Sequence, residues 1–455
     1  MREEQRNQKT GTARTPRENR PSAMVQGRKP VQQKQTAVEQ SPKSSPEPQG
    51  LVARGRQKLQ AMSSRADERW EEKGNALVRT RGSMDRTMLS LILILLALGS
   101  IMVFSASYPS ALAQKGNSLY YITRHMFFVI TGVVAMLAIS KFPLWVFEDY
   151  APVAFGIAVF LLIFVLIPTP FSVARGEARR WLIFGSITVQ PSEIMKAALI
   201  LMLARYLGKH QQDMVKGTRS WGCFFVRSTV LPGLFLGFAC VLVLAENHLS
   251  GMLIMGMIGA VVLFMGGVPW YFLLAVALTL GGAAVVLFVT TQDYALERLT
   301  SFFDKENVDI LDEGWQTAQG QYAIGSGGFL GTGLGGSRQK YSYVSEPQND
   351  FIFTIWCEEM GFVGAVAVIA LFLLFLWRGI VIATRAPDTF SALAVLGIVG
   401  HVSIQAFLNI GVVTGALPNT GVSLPFFSYG GTSTLVLLME MGVLLAVSRH
   451  SYIKK

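Results

Sequence analysis

Met88-Leu89-Ser90-Leu91-Ile92-Leu93-Ile94-Leu95-Leu96-Ala97-Leu98-Gly99-Ser100-Ile101-Met102-Val103-Phe104-Ser105-Ala106-Ser107 contains no charged residue. A helix must supply about 20 predominantly apolar residues to cross the ~30 Å hydrocarbon core of a bilayer. This stretch does so unaided and reads as a transmembrane helix. It is full length and begins near residue 88, unlike a signal peptide, so it is expected to remain as the first span.

Similar runs recur to the end of the chain, at 126–142, 151–168, 188–207, 228–246, 249–266, 270–290, 351–377, 391–413 and 431–448. The expected fold is therefore all-α and polytopic, with ten transmembrane helices. Composition agrees. The 455 residues are 51% hydrophobic and 15% charged, with a mean hydropathy of +0.41, whereas soluble domains carry about 25% charged residues.

Basic residues orient the spans, because cytoplasmic loops are enriched in Lys and Arg. Arg205, Lys209, Lys216, Arg219 and Arg227 oppose only Asp213 between spans four and five. Arg378 and Arg385 mark a second inner loop, and Arg449, Lys454 and Lys455 place the C-terminus inside. Both termini are thus expected in the cytoplasm of a multi-pass protein. Residues 291–350 become a large extracytoplasmic loop between helices 7 and 8. Loops that long are functional or disordered. Here Trp315, Ala318, Tyr322 and Ile324 form an amphipathic stretch that favours order.

Residues 1–83 are rich in Gln, Pro, Ser, Lys and Arg and cannot bury a core, so they read as a disordered basic cytoplasmic tail. The membrane domain is 84–455. Of the 40 Lys/Arg and 29 Asp/Glu, 19 and 10 precede residue 88. The net charge of +11 is therefore mostly a property of the tail, which suits anionic lipid better than nucleic acid. Cys223, Cys240 and Cys357 form no CxxC pair, and the five histidines lack zinc-ligand spacing.

Ionisable residues inside a membrane are costly and are functional candidates by default. In Gln190-Pro191-Ser192-Glu193-Ile194-Met195-Lys196, Glu193 and Lys196 stand three apart on one helix face. The pair reads equally as a buried brace or as part of a site. Pro191 suits a helical first turn. Glu177-Ala178-Arg179-Arg180-Trp181 lies in an outer loop against the charge bias, where two guanidiniums beside an aromatic suit a phosphate ligand.

Glu246-Asn247-His248-Leu249-Ser250-Gly251 separates spans five and six and must be buried in protein or face water. Glu358, Glu359 and Glu440 are further intramembrane acids, the last better suited to structural hydrogen bonding. Gly331-Thr332-Gly333-Leu334-Gly335-Gly336 matches GxGxxG formally, but without a βαβ unit its glycines read as tight turns or close backbone approach. Pro418 to Thr432 is uncharged, rich in Pro and Gly, and reads as re-entrant at the outer face.

Several of these motifs together resemble the SEDS family (the FtsW, RodA and SpoVE proteins). They are Phe104-Ser105-Ala106-Ser107, Arg180-Trp181, Gln190-Pro191-Ser192-Glu193 with Lys196, Arg298-Leu299-Thr300-Ser301-Phe302, Gly314-Trp315-Gln316, Gly333-Leu334-Gly335 and Asp350-Phe351-Ile352-Phe353. The most specific is Leu424-Pro425-Phe426-Phe427-Ser428-Tyr429-Gly430-Gly431. The chain departs from the family at Asn247, where a Pro is usual, and in Phe303 to Asp309, which is one residue longer and lacks the usual Pro-Trp. The His248-Leu249-Ser250-Gly251 hairpin and basic tail are most similar to the cell-division branch.

The resemblance implies ten transmembrane helices and a peptidoglycan glycosyltransferase that polymerises lipid II during septal cell-wall synthesis. A sugar hydroxyl of the acceptor attacks the anomeric carbon of the growing strand, and undecaprenyl pyrophosphate leaves. The resemblance implies Asp309 as the catalytic carboxylate that takes the proton. It implies Arg180 and Lys196 at the diphosphate, with Glu193, His248, Gln316, Ser428 and Tyr429 completing the substrate site. No cofactor is required by the residues and no metal site is complete, although a divalent cation (Mg or Mn) could share the charge. The implied partners are a class B penicillin-binding protein transpeptidase and other divisome proteins, at the septal plasma membrane. The rival readings are a lipid II flippase and a non-enzymatic divisome scaffold.

Overall fold

Asp85 begins the membrane domain by capping its first helix. Its Oδ1 accepts the Met88 N–H at 2.8 Å, satisfying one of the donors that every helix N-terminus leaves over. Its Oδ2 accepts from Arg378 Nε at 3.0 Å, tying two spans together. The computed structural model describes residues 82–175, 178–185, 187–216, 229–282, 286, 302 and 315–450. The tail (1–81) and most of 283–314, with Asp304, Asp309 and Asp312, lie outside the described residues.

The helices are α1 (Arg86–Lys115), α2 (Tyr120–Ile139), α3 (Leu144–Leu166), α4 (Pro191–Lys216), α5 (Leu231–Ala245), α6 (Leu249–Met265), α7 (Trp270–Val276), α8 (Trp315–Ser326), α9 (Ile352–Thr384), α10 (Thr389–Val413) and α11 (Gly431–His450). Among the described residues, six of them (α1, α2, α3, α9, α10 and α11) are long and apolar enough to cross a membrane. Helices α5 and α6 are apolar but shorter. Helix α4 opens with Pro191 in its first turn, as expected, and carries Glu193, Lys196, Arg205 and Lys209 along its length. Helix α7 passes into a π-turn over Ala277–Gly281, and most of the remaining seventh run lies outside the described residues.

The expectation of an all-α chain needs one correction. The stretch before α4 forms a three-stranded antiparallel sheet of β1 (Ser172–Arg175), β2 (Ala178–Phe184) and β3 (Ile187–Val189). Phe184 pairs with Ile187 across a two-residue turn whose Gly185 has φ 63°. That left-handed conformation is the one that closes tight hairpins. Each strand is short, so its alternation was lost beside the apolar runs. Leu182, within β2, is fully buried.

Two apolar cores hold the bundle. One joins α1, α2, α9, α10 and α11 around Phe372, Phe375, Phe426 and Phe427. The other joins α3, α4, α5 and α6 around Leu162, Leu199, Val243 and Val262. Helix α10 packs on both α4 and α6 and so bridges them.

The glycine-rich segment after α8 enters a break in α9. Gly361 has φ 65° and ψ −167°, which interrupts the helix and frees peptide groups on either side. The segment pairs with them: Thr332 N donates to Glu358 O at 3.0 Å, and Gly333 N to Glu359 O at 3.0 Å. In return Phe362 N donates to Gly328 O at 2.9 Å and Val363 N to Phe329 O at 3.2 Å. Gly331 (φ 83°) and Gly333 (φ 90°) supply the left-handed turns this approach requires. The amphipathic stretch expected at Trp315 to Ile324 is the helix α8, but its buried face is Gln319, Gly320 and Ala323, and Tyr322 faces outward.

Candidate functional site

Four hydrogen bonds from side chains to backbone carbonyls draw one end of the helices together. Asn409 Nδ2 on α10 donates to Asp350 O and to Val422 O, each at 2.6 Å. Thr432 Oγ1 donates to Thr188 O of β3 at 2.9 Å, and Ser250 Oγ to Thr420 O at 2.5 Å. The non-helical run 418–430 is thus held between the sheet, the α5–α6 hairpin and α10. That satisfies the need for protein partners at its depth. Phe426, with φ 66°, turns the chain back within it.

Beneath this run lies a polar cavity lined by Glu193, His401, Gln405, Ser423, Ser428 and Thr434. Lys196, 4% exposed, bonds two of these lining residues, with Nζ 2.9 Å from Glu193 Oε1 and 3.0 Å from Gln405 Oε1. Gln405 Nε2 donates to Ser423 O at 3.0 Å and to Ser423 Oγ at 3.2 Å. His401 Nε2 lies 3.0 Å from Gln405 Oε1, and its Nδ1 lies 2.9 Å from Glu440 Oε2 on α11. Five polar side chains from α4, α10 and α11 thereby form one continuous buried chain.

The α5–α6 hairpin adds to it. Arg180 donates through Nη2 to Asn247 O and through Nε to Glu246 O at 3.4 Å, so β2 grips the hairpin backbone. His248 interacts electrostatically with Arg180, Glu193 and Lys196. A Cβ on Gly251 would lie 2.6 Å from His248 Nδ1, so glycine there makes room for the ring. Glu246 is 1% exposed and Asn247 to Ser250 are half-buried, within the expectation that this hairpin is buried in protein or faces water.

The structure therefore brings together four of the residues singled out in the sequence: Arg180, Glu193, Lys196 and His248. Ser428 lines the same cavity, but its hydroxyl is engaged by backbone, donating to Asn349 O at 2.6 Å and accepting from Leu424 N at 2.8 Å. Tyr429 packs edge-on against Tyr121, with ring centroids 5.2 Å apart. Gln316 lies on α8, where its Nε2 donates to Ser345 O at 3.1 Å. Asp309 lies outside the described residues. Among the described residues no group of three His, Cys, Asp or Glu could hold a metal ion.

The paired acids of α9 anchor the loop. Glu358 accepts from Arg338 N at 2.9 Å and from Ser337 Oγ. Glu359, fully buried, accepts from Lys340 Nζ at 2.8 Å and from Ser105 Oγ at 2.7 Å. The hydrogen-bonding role expected of Glu440 appears as its bond to His401. His401, Gln405 and Lys340 were missed in the sequence. A polar residue on a helix face, or a lysine in a polar loop, gives no sign of its partner.

A family model described as "Cell cycle protein", covering FtsW, RodA and SpoVE, matches residues 86–453. Stage V sporulation protein E of Bacillus subtilis (strain 168) is 38% identical over 370 residues, 81% of this chain and 98% of that protein. A probable peptidoglycan glycosyltransferase FtsW of Thioalkalivibrio sulfidiphilus is 38% identical over 378 residues, 82% of this chain and 92% of that one. The crystal structure of the rod shape determining protein RodA of Thermus thermophilus superimposes with a TM-score of 0.60 at 25% identity, covering 82% of this chain and 99% of that one. A chain from a peptidoglycan synthase complex, described as coordinating polymerization and crosslinking, gives 0.64 at 26% identity, covering 81% and 98%.

Proposed function

Since the chain belongs to the FtsW/RodA/SpoVE family, we propose that it is a peptidoglycan glycosyltransferase that polymerises lipid II at the outer face of the plasma membrane. One observation supports this above others. Lys196 is a buried cation held by Glu193 and Gln405, two residues that line a polar cavity, and His248 interacts electrostatically with both Lys196 and Arg180. A preorganised cation in a water-poor site stabilises charge as it develops. In this reaction the developing charge is the pyrophosphate leaving group. The acceptor hydroxyl forms the new bond to the anomeric carbon as the bond to pyrophosphate oxygen breaks, and Asp309 takes the hydroxyl proton. The residues described do not form a cation site, so no step is assigned to a metal.

The decisive experiment is polymerisation of lipid II by the purified chain together with a candidate class B penicillin-binding protein, read as glycan length on gels. The buried polar chain from Glu193 to Glu440 would also suit transport of a polar headgroup. Movement of labelled lipid II across proteoliposomes without polymer would establish the flippase reading instead. Neither activity, with the partner still bound, would leave a scaffold.

The proposal includes ten spans, cytoplasmic termini, residues 291–350 outside, and a place at the division septum. A cysteine introduced at Asn307 should react with an impermeant thiol reagent in intact spheroplasts. Protection there, with labelling after unfolding, would overturn the topology.

A further inference from the structure

His401 lines the cavity and is paired with Glu440 behind it, a pair that the glycosyl-transfer reading leaves unused. His401 and Glu440 are 3% exposed each, on facing helices α10 and α11. A buried ionisable pair is a weak source of stability, because desolvation offsets attraction. Its hydrogen-bond geometry gives it another use.

Gln405 Nε2 donates to Ser423 O and Oγ, which fixes the amide orientation. Its Oε1 must then accept, and it faces two donors: Lys196 Nζ and His401 Nε2, each at 3.0 Å. His401 Nε2 therefore carries hydrogen. One proton remains between His401 Nδ1 and Glu440 Oε2, 2.9 Å apart. Whether it sits on nitrogen or oxygen, the pair is neutral overall and Nε2 stays a donor. Glu440 Oε1 is buried with no hydrogen-bond partner among the described residues, so the carboxylate is directed at His401 alone.

We propose that His401 and Glu440 are positioning residues: Glu440 shares a proton with Nδ1 and so keeps His401 Nε2 a donor, that donor and Ser423 together hold the Gln405 amide, and Gln405 Oε1 fixes the Lys196 ammonium beside the cavity. This rests on the reading of Lys196 as the cation that meets the diphosphate. The charged groups nearest the pair are Glu193 and Lys196 on α4, with His248 from the hairpin coupled to both. Without His401, only the Ser423 bonds hold the Gln405 amide, and its Oε1 can shift and carry the Lys196 ammonium out of place. Misplacement by about 1 Å can cost on the order of 10²-fold in rate.

The test uses the full-length protein with its transpeptidase partner and lipid II. The double variant His401→Leu/Glu440→Met removes both charges and leaves no orphan, so it should fold. We expect its kcat/KM to fall about 10- to 100-fold, with melting unchanged or raised. Gln405→Ala should cost little more when added to that variant than the variant alone already lost, because both act through one amide. Lys196→Met is measured beside them. Wild-type turnover by the folded double variant while Lys196→Met is inactive overturns the positioning role and leaves the function intact. An active Lys196→Met overturns the diphosphate reading and the positioning route with it. Fully additive losses at Gln405 and His401 also overturn the route.

Discussion

Asp309→Asn is expected to abolish lipid II polymerisation while expression, partner binding and thermal unfolding stay near wild type. The side chain keeps its size and loses only the ability to take a proton. Removing a general base costs typically about 10²–10⁴ in rate, whereas a surface charge is worth less than about 0.5 kcal/mol of stability. Asp304 and Asp312 are carboxylates of the same loop and serve as internal controls. Their Asn variants should be mild, because a solvated loop acid is the ordinary case. If Asp312→Asn is inactive and Asp309→Asn is not, the base is Asp312. If all three polymerise normally, the loop does not supply the base and the transport reading gains.

Lys340→Met should destabilise the protein by about 3–5 kcal/mol, the usual cost of leaving one partner of a buried ion pair behind. Glu359 is fully buried and would keep Ser105 Oγ as its donor. Lys340 Nζ also bonds Ser105 Oγ at 3.1 Å and Gly335 O at 2.8 Å, so its loss removes the link of the glycine-rich segment to Ser105 of α1 while the backbone bonds to α9 remain. Replacing both charges, in Lys340→Met/Glu359→Met, should recover much of the stability, since apolar substitutes for a buried pair are often neutral. Unfolding in detergent measures both variants. A loss below about 1 kcal/mol for the single change would mean the pair behaves like an exposed one.

The N-terminal spans could be read from residues 88–107 and 151–168 because hydropathy is local and additive: twenty apolar neighbours determine a helix whatever surrounds them. The same holds for Pro191 in a first turn. Family motifs such as Leu424 to Gly431 likewise needed no coordinates. The sheet at 172–189 was not legible, since strands of three to seven residues form only when their hydrogen bonds find one another. The polar site was half legible. Glu193 and Lys196 share one helical turn, so their pairing follows from spacing. Lys196 and Gln405, or Ser105 and Lys340, are separated by more than 200 residues, and only the tertiary structure makes them partners. Burial makes each of these pairings necessary, because a membrane interior gives a polar atom no water to fall back on. The sequence by itself determined which residues would need partners, and the packing of α4, α10 and α11 decided which partners they have.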